Sequence, residues 1–139
     1  LCSGKIYFEL QDYIDALKSE NTHILRIEQL YPFPYDRLEE EIKKFSNCEI
    51  IWCQEEPKNM GPWGFIRSRI QDVLKSIQSN QTTLPFVGRR ASASPATGVF
   101  DRHLTNQKNI LRLAIEADIS EIQQEKQGVS LVKYKLPIE

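Results

Sequence analysis

The segment Ile50–Phe65, Ile-Ile-Trp-Cys-Gln-Glu-Glu-Pro-Lys-Asn-Met-Gly-Pro-Trp-Gly-Phe, constrains the fold more than any other stretch of the chain. Its apolar opening, Ile50–Cys53, is short enough for a buried strand. Two adjacent carboxylates, Glu55 and Glu56, follow where that strand is expected to end. Pro57 has no N–H to give to a ladder, so pairing is expected to stop there. Gly61-Pro62 reads as the turn into a helix, with proline at its first position. Two acids and a Gly/Pro loop therefore stand at the carboxyl end of a buried strand, the edge on which open α/β sheets build their sites.

The remaining elements arrange themselves around that strand. Leu1-Cys2 followed by Ser3-Gly4 reads as the end of a strand, and a chain that opens inside a strand is expected to belong to something larger. Lys5–Ser19 is helical by period, with Ile6, Leu10, Tyr13 or Ile14, and Leu17 on one face. His23–Glu28 reads as a strand, and the two prolines of Tyr31-Pro32-Phe33-Pro34 make the next stretch a rigid loop. Tyr35–Phe45 carries the clearest helical stripe, Leu38, Ile42 and Phe45. Its acids lie toward the start and Lys43 and Lys44 near the end, as the helix dipole favours. Pro62–Ile77 is a third helix, Leu84–Val87 a short strand, and the stretch near Thr105–Ala117 a fourth helix. Alternating strands and helices predict an α/β fold, a mainly parallel sheet with right-handed crossovers and helices on both faces. Residues 1–117 make up that domain. Residues 118–139 are a tail, polar at first and then either a late strand over Val129–Leu136 or disordered.

With 139 residues, 40% apolar and 27% charged, the chain suffices for one domain around one core. A net charge of −1 gives no global attraction to nucleic acid or to an anionic membrane. No apolar run nears the roughly 20 residues that span a bilayer. Cys2, Cys48 and Cys53 form neither a CxxC pair nor an even framework, so free thiols in a reducing compartment are expected. His23 and His103 lack metal-ligand spacing, and no P-loop, GxGxxG or Ser-His-acid order is present.

Six side chains are candidates for function. Glu55 and Glu56 read either as a general acid/base pair or as structural acids. Neighbours on an extended segment point to opposite sides, which argues against a shared substrate. Arg89 and Arg90 read either as a phosphate or carboxylate site, to which arginine's fork is suited, or as a surface ion pair. Ser92 and Ser94 read as partners in such an anion site or as turn formers. Trp52 and Trp63 read as core, with Trp52 buried in the central strand.

Four long motifs, in order, carry a resemblance. They are Leu1-Cys-Ser-Gly-Lys-Ile-Tyr, Arg26-Ile-Glu-Gln-Leu-Tyr-Pro-Phe-Pro, Trp52-Cys-Gln-Glu-Glu-Pro-Lys-Asn-Met-Gly and Gly88-Arg-Arg-Ala-Ser-Ala-Ser-Pro-Ala-Thr-Gly. Over Leu1–Glu116 the chain resembles the C-terminal, transketolase-like domain of the 2-oxoglutarate dehydrogenase first component. Met60-Gly-Pro-Trp resembles the related 2-oxoadipate dehydrogenase as well, and a stand-alone regulatory or assembly module is the other alternative. The resemblance implies a mostly parallel five-stranded sheet with one antiparallel edge strand. It implies a parent enzyme, a homodimer in the mitochondrial matrix or the bacterial cytoplasm, that uses thiamine diphosphate and Mg²⁺. That enzyme decarboxylates 2-oxoglutarate in the tricarboxylic acid cycle and passes succinyl to the lipoyl group of the second component. The resemblance carries no catalytic, cofactor-binding or metal-binding residue onto this chain, and the isolated chain is expected to bind no thiamine diphosphate. What it carries over is location: Gln54–Gly61 and Gly88–Gly98 match motif loops at a dimer-facing and domain-facing edge.

Overall fold

Seven elements follow one another in the order α1 (Ile6–Leu17), α2 (Tyr35–Lys43), β1 (Trp52–Pro57), α3 (Trp63–Ser76), β2 (Thr83–Arg89), α4 (Phe100–Ile115) and β3 (Val129–Lys135). They belong to a computed structural model that describes residues 1–45, 48–81 and 83–117, together with the backbone of residues 129–135. The strands form one sheet in the order β1-β2-β3, with β1 and β2 parallel and β3 antiparallel to β2. The remainder of the expected tail lies outside the described residues.

Strand alternation sends neighbouring side chains to opposite faces, and the two faces have separate cores. Trp52, Leu84 and Phe86 point one way and pack with Leu38 and Ile42 of α2 and with Trp63, Ile66, Ile70, Val73 and Leu74 of α3. Cys53 and Val87 point the other way and pack with Ile6 and Leu10 of α1 and Ile110 of α4. Trp52 pairs with Phe86 and Cys53 with Val87 across the ladder, so each face is continuous from strand to strand. Trp63 meets Phe86 with ring centroids 4.9 Å apart. Both tryptophans are therefore core residues, and Trp52 is fully buried, as expected.

Three strands form the sheet among the described residues, short of the five that the resemblance implies, and several boundaries differ from expectation. His23–Glu28 contributes only a single parallel bridge, Arg26 to Cys2, because the Leu1–Cys2 segment it pairs with turns away at Gly4. That short segment continues the parallel pattern on its other side, where the Cys53 N–H donates to the Leu1 carbonyl at 2.8 Å. β1 starts and ends later than expected. The main-chain N–H of Ile50 donates to Gln81 Oε1 at 2.8 Å, and Gln81 Nε2 donates back to the Ile50 carbonyl at 2.7 Å. A side-chain amide thus stands where a neighbouring strand would. At the other end pairing runs past the acids to Pro57, opposite Arg89, through a register shift between Cys53 and Pro57. α4 begins at Phe100 rather than Thr105, since its first turn presents its apolar residues to solvent and shows no inward stripe.

Candidate functional site

β1 brings Gln54, rather than the two acids, to the centre of the conspicuous segment. Gln54 lies on the same face as Trp52 and is 1% exposed. Its Oε1 accepts from Trp52 Nε1 at 2.9 Å and from the Trp63 main-chain N–H at 3.1 Å. Its Nε2 donates to the carbonyl oxygens of Met60 at 2.8 Å, Pro57 at 3.2 Å and Glu56 at 3.3 Å. One buried amide thereby ties the strand, the turn after it and the first residue of α3. Gly61 closes that turn at φ +64°, and a Cβ there would stand 3.1 Å from Gln54 Nε2. Sequence reasoning passed over Gln54. The available signal was a lone amide interrupting a strand, two residues on from a tryptophan and so on its face.

Glu55 and Glu56 lie inside β1 and are both half-buried. As strand neighbours they cannot serve one substrate from one side. Glu55 participates through its main chain: its carbonyl accepts from Arg89 Nε at 2.7 Å. Arg89 also donates through Nη2 to the Pro95 carbonyl, so its guanidinium clamps β1 to the loop that follows β2. The two motif loops are joined again one step further on. Asn59 Nδ2 donates to the Ser92 carbonyl at 2.9 Å, and the Ser92 N–H donates to Asn59 Oδ1 at 3.0 Å. The Ser94 N–H donates to Ser92 Oγ at 3.1 Å, a turn-forming contact. Arg90 is exposed.

The structure therefore brings Glu55, Glu56, Arg89, Arg90, Ser92 and Ser94 to one edge, at the carboxyl ends of β1 and β2. A cleft of about 800 Å³ opens there between the loop and the start of α4. Its wall carries Arg89, Arg90, Arg102, Ser92, Ser94 and Thr97, and no carboxylate among the described residues. Arg102 went unnoticed in the sequence, because it lies in the helical turn that the sequence reading left out. Large apolar side chains are exposed where that loop enters α4: Phe100 at 71% and Val99 at 59%.

Two titrating groups record their surroundings. The Arg26 side chain, with help from the Gly4 N–H, holds the Glu28 carboxyl down at about 2. Burial pushes the Cys53 thiol up to about 12. Among the described residues, no group of three or more His, Cys, Asp or Glu side chains gathers to hold a metal ion. Nor is any described helix long and apolar enough to cross a membrane.

Fold and edge together define an α/β domain with helices on both faces of its sheet and paired motif loops at the carboxyl ends of its parallel strands. The 2-oxoglutarate dehydrogenase C-terminal family matches residues 1–115, and the chain belongs to that family. The chain is 43% identical over 115 residues to the 2-oxoglutarate dehydrogenase E1 component of Brucella anthropi, and equally so to those of Brucella ovis and Brucella canis. The match covers 83% of this chain and 12% of each of those proteins, so the chain spans a small part of their length.

Proposed function

We propose that this chain serves as the C-terminal domain of a 2-oxoglutarate dehydrogenase E1 component, and that its task there is assembly rather than chemistry. The observation that carries the reading is the 43% identity over 115 residues to E1 components, a span that includes both motif loops. On this reading the whole enzyme is a homodimer of the bacterial cytoplasm or the mitochondrial matrix. It oxidatively decarboxylates 2-oxoglutarate with thiamine diphosphate and Mg²⁺ and hands succinyl to the lipoyl group of the second component. Thiamine diphosphate supplies the decarboxylation chemistry where it is bound. Residues 1–117 act as the domain, and the segment after them contributes β3 to the edge of its sheet. The extended segments at Cys2 and Arg26 are the remaining two strands of a five-stranded sheet once the whole enzyme is assembled. The exposed apolar neighbours Val99 and Phe100, directly after the second motif loop, support an assembly role, since contiguous exposed apolar surface marks interaction sites.

The test is a chimera. Residues 1–117 replace the matching segment of the Brucella anthropi E1 component, and dimer mass and 2-oxoglutarate-dependent decarboxylation are measured. A dimeric, active chimera is expected, together with an inactive, monomeric enzyme when the segment is deleted. A deletion that stays dimeric and active would overturn the assembly role. A chimera that turns over 2-oxoadipate in preference to 2-oxoglutarate would move the chain to that related enzyme.

A further inference from the structure

We propose that Cys2 and Cys53 form a buried two-thiolate site for one soft, two-coordinate metal ion of the mercury(II) or copper(I) class. This goes beyond the assembly role and does not rest on it. The Leu1 main-chain nitrogen donates to the Ile51 carbonyl at 2.6 Å, and the Cys53 N–H donates to the Leu1 carbonyl at 2.8 Å. In a parallel pair that pattern sets Leu1 beside Trp52, and therefore Cys2 directly beside Cys53. Both side chains point to the same face, since both pack with Ile6, Leu10, Val87 and Ile110. Cys2 is 0% exposed and Cys53 3%, and both are free thiols.

Neighbouring strands stand roughly 4.7–4.9 Å apart. Two thiolate–metal bonds of about 2.3 Å laid end to end bridge that gap. A disulfide does not suit it, because its Cβ atoms must approach to about 3.8 Å. The number of ligands narrows the metal. Among the described residues no third His, Cys, Asp or Glu joins the pair, so the four-coordinate shell of zinc is out of reach. Thiolates select soft ions. Two thiolates around a divalent ion also sum to zero charge, which suits walls of Ile, Leu and Val. Binding balances as one ion gained for two S–H bonds broken, with both protons passing to water. The free pair stays protonated: burial first, and the charge of a Cys2 thiolate among the lesser causes, pushes the Cys53 thiol up to about 12. A route of entry is present. A cavity of about 80 Å³ has Cys53, Leu10 and Ile51 in its wall together with His23 and the exposed Glu49. It shares Leu1, His23 and Glu49 with a cleft of about 420 Å³ whose wall carries the exposed thiol of Cys48. The bound ion ties the Leu1–Cys2 segment to β1 within the sheet.

The experiment uses the intact E1 chimera that carries residues 1–117. Mercury(II) chloride is added, loosely held ion is stripped with glutathione, and the mercury retained per chain is counted. Cys2→Ala and Cys53→Ala should each retain one ion fewer per chain than the parent. Cys48→Ser should retain as many as the parent, since a single exposed thiol yields its ion to glutathione. A second readout needs no variant. Peptic digestion of the loaded parent at low pH, followed by mass spectrometry, should recover the Cys2 and Cys53 peptides joined through one mercury. Zinc(II) in the same assay should give equal retention in parent and variants. The proposal is overturned if parent and both alanine variants retain equal mercury, if Cys48→Ser loses the ion as fully as Cys53→Ala, or if no Cys2–Cys53 mercury bridge is recovered. A zinc difference between parent and variants would overturn the two-coordinate class. None of these results bears on whether the metal-free chimera assembles and decarboxylates, so the two readings fail separately.

Discussion

Gln54→Ala tests the central claim about how the motif segment is held. The substitution leaves two buried donors unmet, Trp52 Nε1 and the Trp63 N–H, which now reach Gln54 Oε1 at 2.9 and 3.1 Å. An unmet buried donor costs about 1–3 kcal/mol. Three carbonyls also lose a donor, of which only that of Met60, at 2.8 Å, makes a short bond. The other two are long and count for little. A total of about 3–5 kcal/mol follows, against a stability of about 5–15 kcal/mol for an ordinary domain. Urea unfolding read by tryptophan fluorescence is the assay, since Trp52 and Trp63 are the chain's two tryptophans and both touch Gln54. Gln54→Glu refines it. The acceptor for both tryptophan donors is kept, but a charged oxygen now faces three carbonyls. The folded pKa of that carboxyl is therefore raised above its unfolded value of about 4.3. The sign follows: its penalty is absent below the unfolded pKa and grows as pH rises toward the folded one. A loss within about 0.5 kcal/mol for Gln54→Ala, the range of ordinary surface changes, would refute the reasoning.

Three further outcomes are expected. Gly88→Ala should cost about 1–3 kcal/mol by overpacking, because its Cβ would stand 2.7 Å from Phe86 Cζ and 2.9 Å from the Gln54 carbonyl oxygen. Gly64→Ala, with nothing within 4 Å of the added carbon and a helical position, should be neutral or stabilising in the same melt, and equal losses at both sites would refute the steric account. Native alkylation followed by mass spectrometry should modify exposed Cys48 and spare Cys2 and Cys53, whose thiols burial pushes upward, Cys53 to about 12; rapid adducts at Cys53 would show that the α1–α4 side opens. Glu28, held down at about 2 by Arg26 and the Gly4 N–H, adds stability that is fully present above its unfolded pKa of about 4.3 and lost as pH falls toward 2. Parent and Glu28→Gln should therefore differ in melting temperature at neutral pH and converge near pH 2, and a gap constant with pH would contradict that role.

What the sequence made legible was whatever periodicity could express. The stripes Ile6-Leu10-Ile14 and Leu38-Ile42 marked α1, α2 and their buried faces, because burial of one helical face leaves a 3.6-residue trace. Leu17, however, expected on the α1 face, is 47% exposed, and Phe45 lies past the end of α2. The apolar run at Ile50–Cys53 signalled β1 but not its limits. Those limits depend on partners far along the chain: Gln81, whose amide stands in for a strand at Ile50, and Arg89, which pairs opposite Pro57. No local pattern encodes either. The start of α4 was lost because its first turn turns Phe100 and Leu104 outward, at 71% and 42% exposure, so the inward stripe begins only near Ile110. Of the candidate site, the arginines and serines were found by type. Gln54, Asn59 and Arg102 were missed, because their roles come from what the fold sets beside them.

The motif residues divide by what they touch, and the division says how the edge is built. Gln54, Gly61, Gly88, Asn59 and Arg89 all make their contacts within the chain. The first two shape the turn into α3, Gly88 admits the close approach of β2 to β1, and the last two lash the loop after β2 to that turn. None of these contacts reaches beyond the chain. A second set, Tyr31, Arg90, Phe100 and Arg102, is exposed to solvent. A loop held in place matters for an interface, since ordering a loose one on contact would consume part of the binding free energy. The two sets must then separate under mutation. Changes to the first set should lower stability first and disturb assembly only as a consequence. Changes to the second set should leave the urea midpoint unmoved while weakening dimerisation. Tyr31→Ser and Phe100→Ser in the chimera make that comparison against Gln54→Ala and Gly88→Ala. Should the exposed pair unfold the domain as readily as the buried pair, those positions would be part of the core rather than of its surface.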